Sequence, residues 1–156
     1  MTIRIESDPW AAMVTHARQT YPNECCGAML GSIDGAGKTV CVALPLENAF
    51  DGVQATRYEL RQQDLLAADK AARERHMDLI GIYHSHPDCG AYFSGTDLQN
   101  SCPWYSFVVL SIQHGEFHHA ATLLARELSA SGESATIATV LCDSAEKYQS
   151  EHFWDE

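Results

Sequence analysis

The sequence predicts one α/β domain in which helices flank a mixed central β-sheet. Short apolar segments typical of strands alternate irregularly with helical segments, and this mixing favours a layered sandwich over a regular doubly wound fold. Hydrophobic residues make up 46% of the 156 residues, enough for one packed core. No repeat or low-complexity segment divides the chain. We therefore expect residues 1–156 to form a single domain, with a core over about 3–125 and a C-terminal strand and tail over 135–156.

The first third of the chain predicts a strand, a helix and a hairpin. Residues 2–6 alternate polar and apolar side chains, as in a strand at a sheet edge. A Ser-Asp-Pro sequence begins a helix over 7–20. Its apolar face is formed at helical spacing by Trp10, Met13, Val14 and Ala17. Residues 25–33 and 38–46 predict two strands, joined by the glycine-rich turn 34–37.

A polar loop, a second helix and a buried strand follow. Residues 47–57 are rich in turn-forming residues and predict a loop, and residues 58–60 predict a short strand. Residues 62–77 predict a helix with a solvated charged face. Its modest apolar stripe consists of Leu65, Ala68 and Ala72. An apolar strand then begins at Asp78.

The C-terminal part predicts a short helix and further strands. The helix should end at Asn100, before a proline. Residues 104–113 and 117–125 predict two strands connected by a tight His-Gly-Glu turn. Residues 135–142 predict a final strand, and residues 144–156 a polar tail or helix.

Composition and charge exclude several classes of protein. The net charge of -11 argues against non-specific binding to nucleic acid, which needs a basic face. No apolar run approaches 18 residues, and the N-terminus lacks the basic-then-apolar pattern of a signal peptide. We therefore expect no membrane partner and a cytoplasmic location.

The six cysteines form no Cys-x-x-Cys pair, so neither a zinc ribbon nor a thioredoxin-like site is indicated. We interpret them as mostly buried free thiols. Cys89 is the exception, because it lies in the loop between the candidate metal ligands and is expected to face the site.

The strand from Asp78 ends in a candidate metal site. Residues 80–83 are an apolar run, and His84 and His86 leave the same face because an extended strand repeats every two residues. Asp97 follows eleven residues after His86, so one chain reversal brings a carboxylate back as a third ligand. Two nitrogens and one oxygen leave an open fourth position on a tetrahedral zinc, which is typical of catalytic sites.

Structural explanations exist for each of these residues alone. A His-x-His pair on a strand is more often structural than catalytic, and Ser94 with Asp97 is also the pattern of a capped helix start. Glu24 by itself would be an ordinary loop carboxylate. His118 and His119 should alternate across the sheet, so they are not expected to bind one metal from one face.

Taken together, these residues resemble the signature of the JAMM (MPN+) metalloproteases. The string His84-Ser85-His86-Pro87, followed by Ser94 and Asp97, is similar to that family's His-Ser/Thr-His-Pro and Ser-x-x-Asp elements. Glu24, within the segment 22–31, matches the family's upstream glutamate. All five functional positions agree with the family in order and spacing.

The resemblance implies a mixed sheet flanked by helices, related to the α-β-α sandwich of the cytidine deaminases. It also implies a catalytic Zn²⁺ held by His84, His86 and Asp97, with water as the fourth ligand. In the family, the position of Glu24 supplies the general base, which moves the proton of that water to the leaving amine. The Ser94 hydroxyl would help to stabilise the oxyanion. The implied reaction is amide hydrolysis without a covalent intermediate.

The resemblance also implies a class of partner. Family members cut after the C-terminal Gly-Gly of ubiquitin-like proteins, and the absence of large insertions here resembles the compact prokaryotic type. Those enzymes act on ubiquitin-like conjugates or on sulfur-carrier proteins, for example by releasing cysteine from the carrier. The loop over 47–57 is our candidate for partner contact, and a homodimer stays open.

Two other functions remain as alternatives. A thiol hydrolase would use Cys25, Cys26 or Cys89 together with a histidine. A catalytically silent MPN scaffold would only bind proteins, although such scaffolds typically have lost ligands that this chain keeps.

Overall fold

The computed structural model describes residues 2–35, 37–123 and 137–138. The elements are, in chain order, β1 (Thr2–Ile5), α1 (Ser7–Thr20), β2 (Cys26–Asp34), β3 (Gly37–Leu46), α2 (Gln62–Glu74), β4 (Asp78–Pro87), α3 (Gly95–Asn100), β5 (Ser106–Gln113), β6 (Glu116–Leu123) and β7 (Ile137–Ala138). The strands form one sheet in the order β1-β3-β2-β4-β5-β6-β7. β1 pairs with β3 and β4 pairs with β5 in parallel, whereas the other pairs are antiparallel. The predicted α/β fold with a mixed central sheet is confirmed.

The two long helices cover opposite faces of this sheet. On one face, Met13 of α1 shares a buried cluster with Met29 of β2. On the other face, Ala68 and Ala72 of α2 pack in a cluster with Ala28 of β2. Neighbouring residues of a strand point to opposite faces, so β2 contributes to both layers and joins them into one sandwich.

The short strand predicted over 58–60 does not form. Residues 57–61 have no regular secondary structure, and β2 and β3 are already paired on both sides. The aromatic side chain that suggested a strand belongs to Tyr58. It packs over the sheet instead, with its ring stacked on the ring of His84. This prediction from pattern was wrong.

The second helix ends earlier than predicted, at Glu74 instead of near Met77. His76 has a positive φ of 56°, and the amide of Met77 donates to the carbonyl of Ala72 at 2.9 Å. These features form a Schellman-type cap, in which a left-handed residue ends the helix. Glycine is the usual residue at that position, so the histidine gave no signal in the sequence.

The remaining predicted elements agree with the structure to within a few residues. Ser94 is the N-cap of α3, so this helix begins at Gly95 and includes Asp97. Of the predicted final strand over 135–142, the structure describes residues 137–138 as β7, and the tail over 144–156 lies outside the described residues. Within the described part of the chain, no helix has the length and hydropathy needed to span a bilayer.

β4 is the central strand, between β2 and β5. Near its start, β4 approaches β5 so closely that a Cβ added at Gly81 would overlap the backbone carbonyl of Ser106. Only glycine allows this approach. The parallel pairing that starts here runs from Gly81 to Pro87 and therefore includes both histidines.

We expect Gly81→Ala to destabilise the protein strongly. The added methyl group meets backbone, which cannot rotate away, so the loss in free energy of unfolding should be about 3 kcal/mol or more. Urea denaturation of the purified variants measures it. Gly95→Ala is the matched control, because a Cβ at Gly95 has nothing within 4 Å. Equal stability of both variants would contradict the proposed role of Gly81.

Candidate metal centre and cavity

The end of β4 brings the two histidines of the sequence motif together. His84 pairs with Cys26 of β2 and with Val109 of β5, so its backbone is held from both sides. His84 and His86 are buried, and their Nε2 atoms lie 3.3 Å apart. The period-two alternation of a strand therefore does place both imidazoles on one face.

The start of α3 places Asp97 beside them. A capping box fixes its carboxylate: the backbone amide and the hydroxyl of Ser94 donate to Asp97 Oδ2 at 2.7 and 2.6 Å. The amide of Asp97 donates back to Ser94 Oγ at 3.1 Å. Asp97 Oδ1 lies 3.6 Å from Nε2 of His84, and Oδ2 lies 3.8 Å from Nε2 of His86. The helix cap and the metal-ligand geometry thus use the same two residues.

This group of donors fits a zinc ion. His84, His86 and Asp97 each offer one ligand atom, and these atoms lie within 4.8 Å of one another. Donor atoms bonded to one tetrahedral zinc lie about 3.3–3.6 Å apart, so the observed separations need to change little. Two imidazoles and one carboxylate are also a donor set that zinc prefers.

The pKa values of the two histidines are shifted in opposite directions. Burial lowers the pKa of His84 despite the nearby Asp97, and this shift favours the neutral form of the ring, which can bind a metal. Burial also acts to lower the pKa of His86, but Asp97 and the Gly90 carbonyl outweigh it and the net shift is upward. His86 Nδ1 donates to that carbonyl at 3.1 Å, which leaves Nε2 directed at the site. The two histidines also hold the pKa of Asp97 below its usual range, although its burial acts in the opposite direction.

Glu24 lies across from His86, two residues before β2 begins. Its amide donates to the carbonyl of Gln54 at 2.8 Å, and Asn48 Nδ2 donates to its carbonyl at 3.0 Å. Only 6% of the residue is exposed. Burial, with a smaller contribution from Asp97 against an opposing one from His86, raises the pKa of Glu24 to about 7. A carboxyl with such a pKa exchanges protons readily near neutral pH.

A cavity of about 670 Å³ connects these groups. Glu24, His86, Ser94 and Asp97 line it, together with segments of the loop before α2 and of the region around α3. All five predicted site residues are therefore close together, because His84, which does not line the cavity, lies against His86. Cys89 is exposed and lines the cavity, as predicted.

The structure shows further contacts around the site, one of them from a residue outside the motif. The ring of Tyr58 stacks on His84 with centroids 4.7 Å apart and also lines the cavity. Ser85 Oγ accepts from the amide of Cys25 at 2.9 Å, which ties β4 to the segment that carries Glu24. His84 Nδ1 is buried and has no hydrogen-bond partner among the described residues.

The cysteines differ in their exposure. Cys25 and Cys26 are buried, and burial raises the pKa of each thiol to about 12. Cys41 and Cys102 are partly buried, and every cysteine in the described part of the chain is free. The prediction of free thiols is therefore confirmed for the described residues, whereas the prediction that most are buried holds only for Cys25 and Cys26.

His118 and His119 do not point apart as predicted. Their Nδ1 atoms lie 2.8 Å apart, because the register between β5 and β6 shifts at Ser111 and leaves His118 without a partner in β5. Such a bulge breaks the alternation of side chains. Neither residue belongs to the metal-ligand group found among the described residues.

The comparison with known families agrees with this site. Residues 7–124 match the family model described as prokaryotic homologs of the JAB domain. The match covers most of the chain, and the chain belongs to this family, a branch of the JAMM (MPN) proteins.

Three relatives are similar to this chain over about two thirds of its length. Desampylase from Haloferax volcanii is 29% identical over 114 residues, which is 70% of this chain and 80% of the relative. CysO-cysteine peptidase from Mycobacterium tuberculosis is 34% identical over 95 residues, 61% of this chain and 62% of the relative. COP9 signalosome complex subunit 5 from Drosophila melanogaster is 36% identical over 100 residues, but these are 62% of this chain and only 30% of the relative.

Solved structures show the same fold. A protein from Desulfitobacterium hafniense aligns over 90% of this chain and 92% of its own, with a TM-score of 0.73 and 24% identity. A protein from Salinibacter ruber aligns over 92% and 93%, with a TM-score of 0.64 and 29% identity.

In the metal-free protein, Glu24→Gln should raise stability at alkaline pH. The folded protein holds the Glu24 proton more tightly than the unfolded chain does, with a pKa of about 7 against 4.5, so it loses stability as the pH rises through this interval. Removing the charge should add about 1–3 kcal/mol to the free energy of unfolding near pH 8 and nothing near pH 4. Urea denaturation in a chelating buffer measures both values. A gain of the same size at both pH values would contradict the raised pKa.

Proposed function

We propose that this protein is a zinc-dependent metallopeptidase that cuts the amide bond after the C-terminal Gly-Gly of a ubiquitin-like or sulfur-carrier protein. The adduct released is cysteine or another amine. The observation that carries the proposal is the convergence of His84, His86 and Asp97 beside the buried Glu24 in one cavity. Its relatives support the substrate class, because they include a desampylase and a CysO-cysteine peptidase.

In this proposal, His84 and His86 bind zinc through Nε2, and Asp97 binds through its carboxylate. Zinc, when bound, would polarise the scissile carbonyl and acidify a water molecule. Glu24 accepts the proton of the attacking water and passes it to the leaving amine. Its raised pKa suits both transfers, because a group that titrates near neutral pH is an effective base and then an effective acid.

Ser94 has two tasks in the proposal. Its hydroxyl carries a single proton, which it donates to Asp97 Oδ2 in the structure. Before substrate binds, Ser94 therefore orients the carboxylate. To stabilise the oxyanion of the reaction, the same hydroxyl must rotate toward the substrate carbonyl, and its backbone amide still holds Asp97 while it does so.

The loop over residues 47–57 is the proposed contact region for the carrier protein. Its shape is defined by side-chain bonds: Asn48 Nδ2 donates to the Arg57 carbonyl at 3.1 Å, and Gln54 Nε2 donates to the Phe50 carbonyl at 3.0 Å. Val53 is 68% exposed and offers an apolar contact. An ordered loop loses less conformational entropy on binding than a disordered one, which favours it as a docking element.

Neither alternative function is favoured by a specific observation. A thiol hydrolase needs a thiolate, and the raised pKa of Cys25 and Cys26 keeps both thiols protonated at neutral pH. A silent scaffold would need no buried carboxylate beside a metal-ligand group, whereas Glu24 is held there. Cytoplasmic location stays a prediction, and homodimer formation stays open.

Two substitutions test the assigned roles. We expect Glu24→Gln to retain zinc but to lower the rate of hydrolysis by at least about 100-fold, because the base is lost while the ligands remain. We expect His86→Ala to lose both zinc and activity. The measurements are zinc content by elemental analysis, and mass spectrometry of a ubiquitin-like protein whose C-terminal Gly-Gly is extended by cysteine.

The control for this experiment is Cys89→Ser. It changes an exposed thiol in the same cavity and should retain activity, whereas a chelator should abolish the activity of the wild-type protein. A Glu24→Gln protein that cuts at a near-native rate would contradict the role of Glu24. Inactivation of the wild type by a thiol alkylator, without loss on chelation, would instead favour a cysteine enzyme.

A further inference from the structure

The loop between β4 and α3 holds one of the proposed zinc ligands in place. The carbonyl of Gly90 accepts a hydrogen bond from His86 Nδ1 at 3.1 Å. A carbonyl can only accept, so Nδ1 carries the proton and the lone pair of Nε2 faces the site. The orientation of the His86 ring therefore depends on the direction of this carbonyl.

The other side of the same peptide unit is held by β6. The amide of Ala91, which shares its peptide plane with the Gly90 carbonyl, donates to His119 Nε2 at 3.0 Å. Because a peptide unit is planar, fixing its N–H also fixes its C=O. His119 thus acts on His86 through a single rigid group.

Because residue 90 is a glycine, the loop needs the hydrogen bond to His119 to fix its backbone. Glycine at position 90 allows many backbone conformations, so its carbonyl direction is not determined by its own sterics. One residue earlier, Ser111 Oγ donates to the Cys89 carbonyl at 2.5 Å, which anchors the entry to the loop. The anchor provided by His119 lies on the other side of the glycine, and the two together define the path of the chain.

The bulge in β6 is what brings His119 to the loop. His118 has no partner in β5, and its ring lies beside that of His119, with Nδ1 atoms 2.8 Å apart. Since His119 Nε2 accepts from an amide, a neutral His119 carries its proton on Nδ1 and donates it to His118. His118 is exposed, so water replaces it readily as the acceptor.

We propose that His119 is a positioning residue of the metal centre, which aligns His86 through the Gly90–Ala91 peptide. The proposal rests on the assigned role of His86 as a zinc ligand. Partners that orient a metal-bound histidine typically change metal affinity by 10–100-fold when removed. Because His119 acts through one intervening peptide, we expect its removal to weaken zinc affinity about tenfold, near the lower end of that range.

The test compares three variants by zinc titration against a competing chelator, with no substrate present. His119→Ala should weaken zinc affinity about tenfold. His119→Gln should largely restore it, because the amide oxygen of glutamine is an acceptor of similar reach. His118→Ala is the matched control: it removes the neighbouring imidazole but keeps the bond to Ala91, and its affinity should match the wild type.

A second measurement is independent of zinc. In the metal-free protein, hydrogen exchange of the Ala91 amide should be faster in His119→Ala than in the wild type, and slow again in His119→Gln. Thermal unfolding of the same samples separates this local effect from a general loss of stability, which would speed exchange throughout the sheet.

The outcomes are distinguishable. Unchanged zinc affinity in His119→Ala would overturn the proposal while leaving the metal centre intact. Equal losses of zinc affinity in His119→Ala and His119→Gln would show that the hydrogen-bond acceptor for the Ala91 amide does not determine the affinity. This result would also overturn the proposal. A wild-type protein that takes up no zinc would contradict the proposed function itself and with it any role of His119 in aligning a ligand.

Discussion

The pairing of β4 between two neighbouring strands is the constraint on which the site depends. His84 and His86 lie on one face because a strand repeats every two residues, and they lie 3.3 Å apart because the backbone between them is hydrogen-bonded to both neighbours. Side chains on such a strand lose little further entropy when they bind a metal, since their backbone is already ordered. The sheet supplies rigidity, whereas Glu24 comes from the segment just before β2 and Asp97 from α3.

The site buries several polar groups, and removing them from water costs free energy of folding. Glu24 is buried with a raised pKa, and His84 Nδ1 has no partner among the described residues. Such features reduce stability and are typical of functional sites, where a protonation state is tuned at the expense of the fold. The apolar clusters on both faces of the sheet offset this cost.

Local patterns in the sequence predicted the metal-ligand residues well and the residues that surround them less well. The His-x-His spacing and the Ser94–Asp97 cap follow from rules that act over a few residues, and the positions of most strands along the chain followed from turn and apolar patterns. Tyr58 is 26 positions away from the ring it covers, and the pattern around it suggested a strand. The contact made by His119 depends on a bulge that breaks alternation, and a bulge of this kind leaves no mark in the composition of β6. Resemblance to a family supplied the role of Glu24, which spacing alone did not indicate.

The central claim is that one zinc ion binds between the two histidines and Asp97. Anomalous X-ray scattering at the zinc edge, from crystals of the full chain grown with equimolar zinc, locates the ion directly. We predict one peak per chain, within about 2.0–2.2 Å of His84 Nε2, His86 Nε2 and an Asp97 carboxylate oxygen. Crystals that show no peak there, or zinc bound only at other residues, would contradict the account.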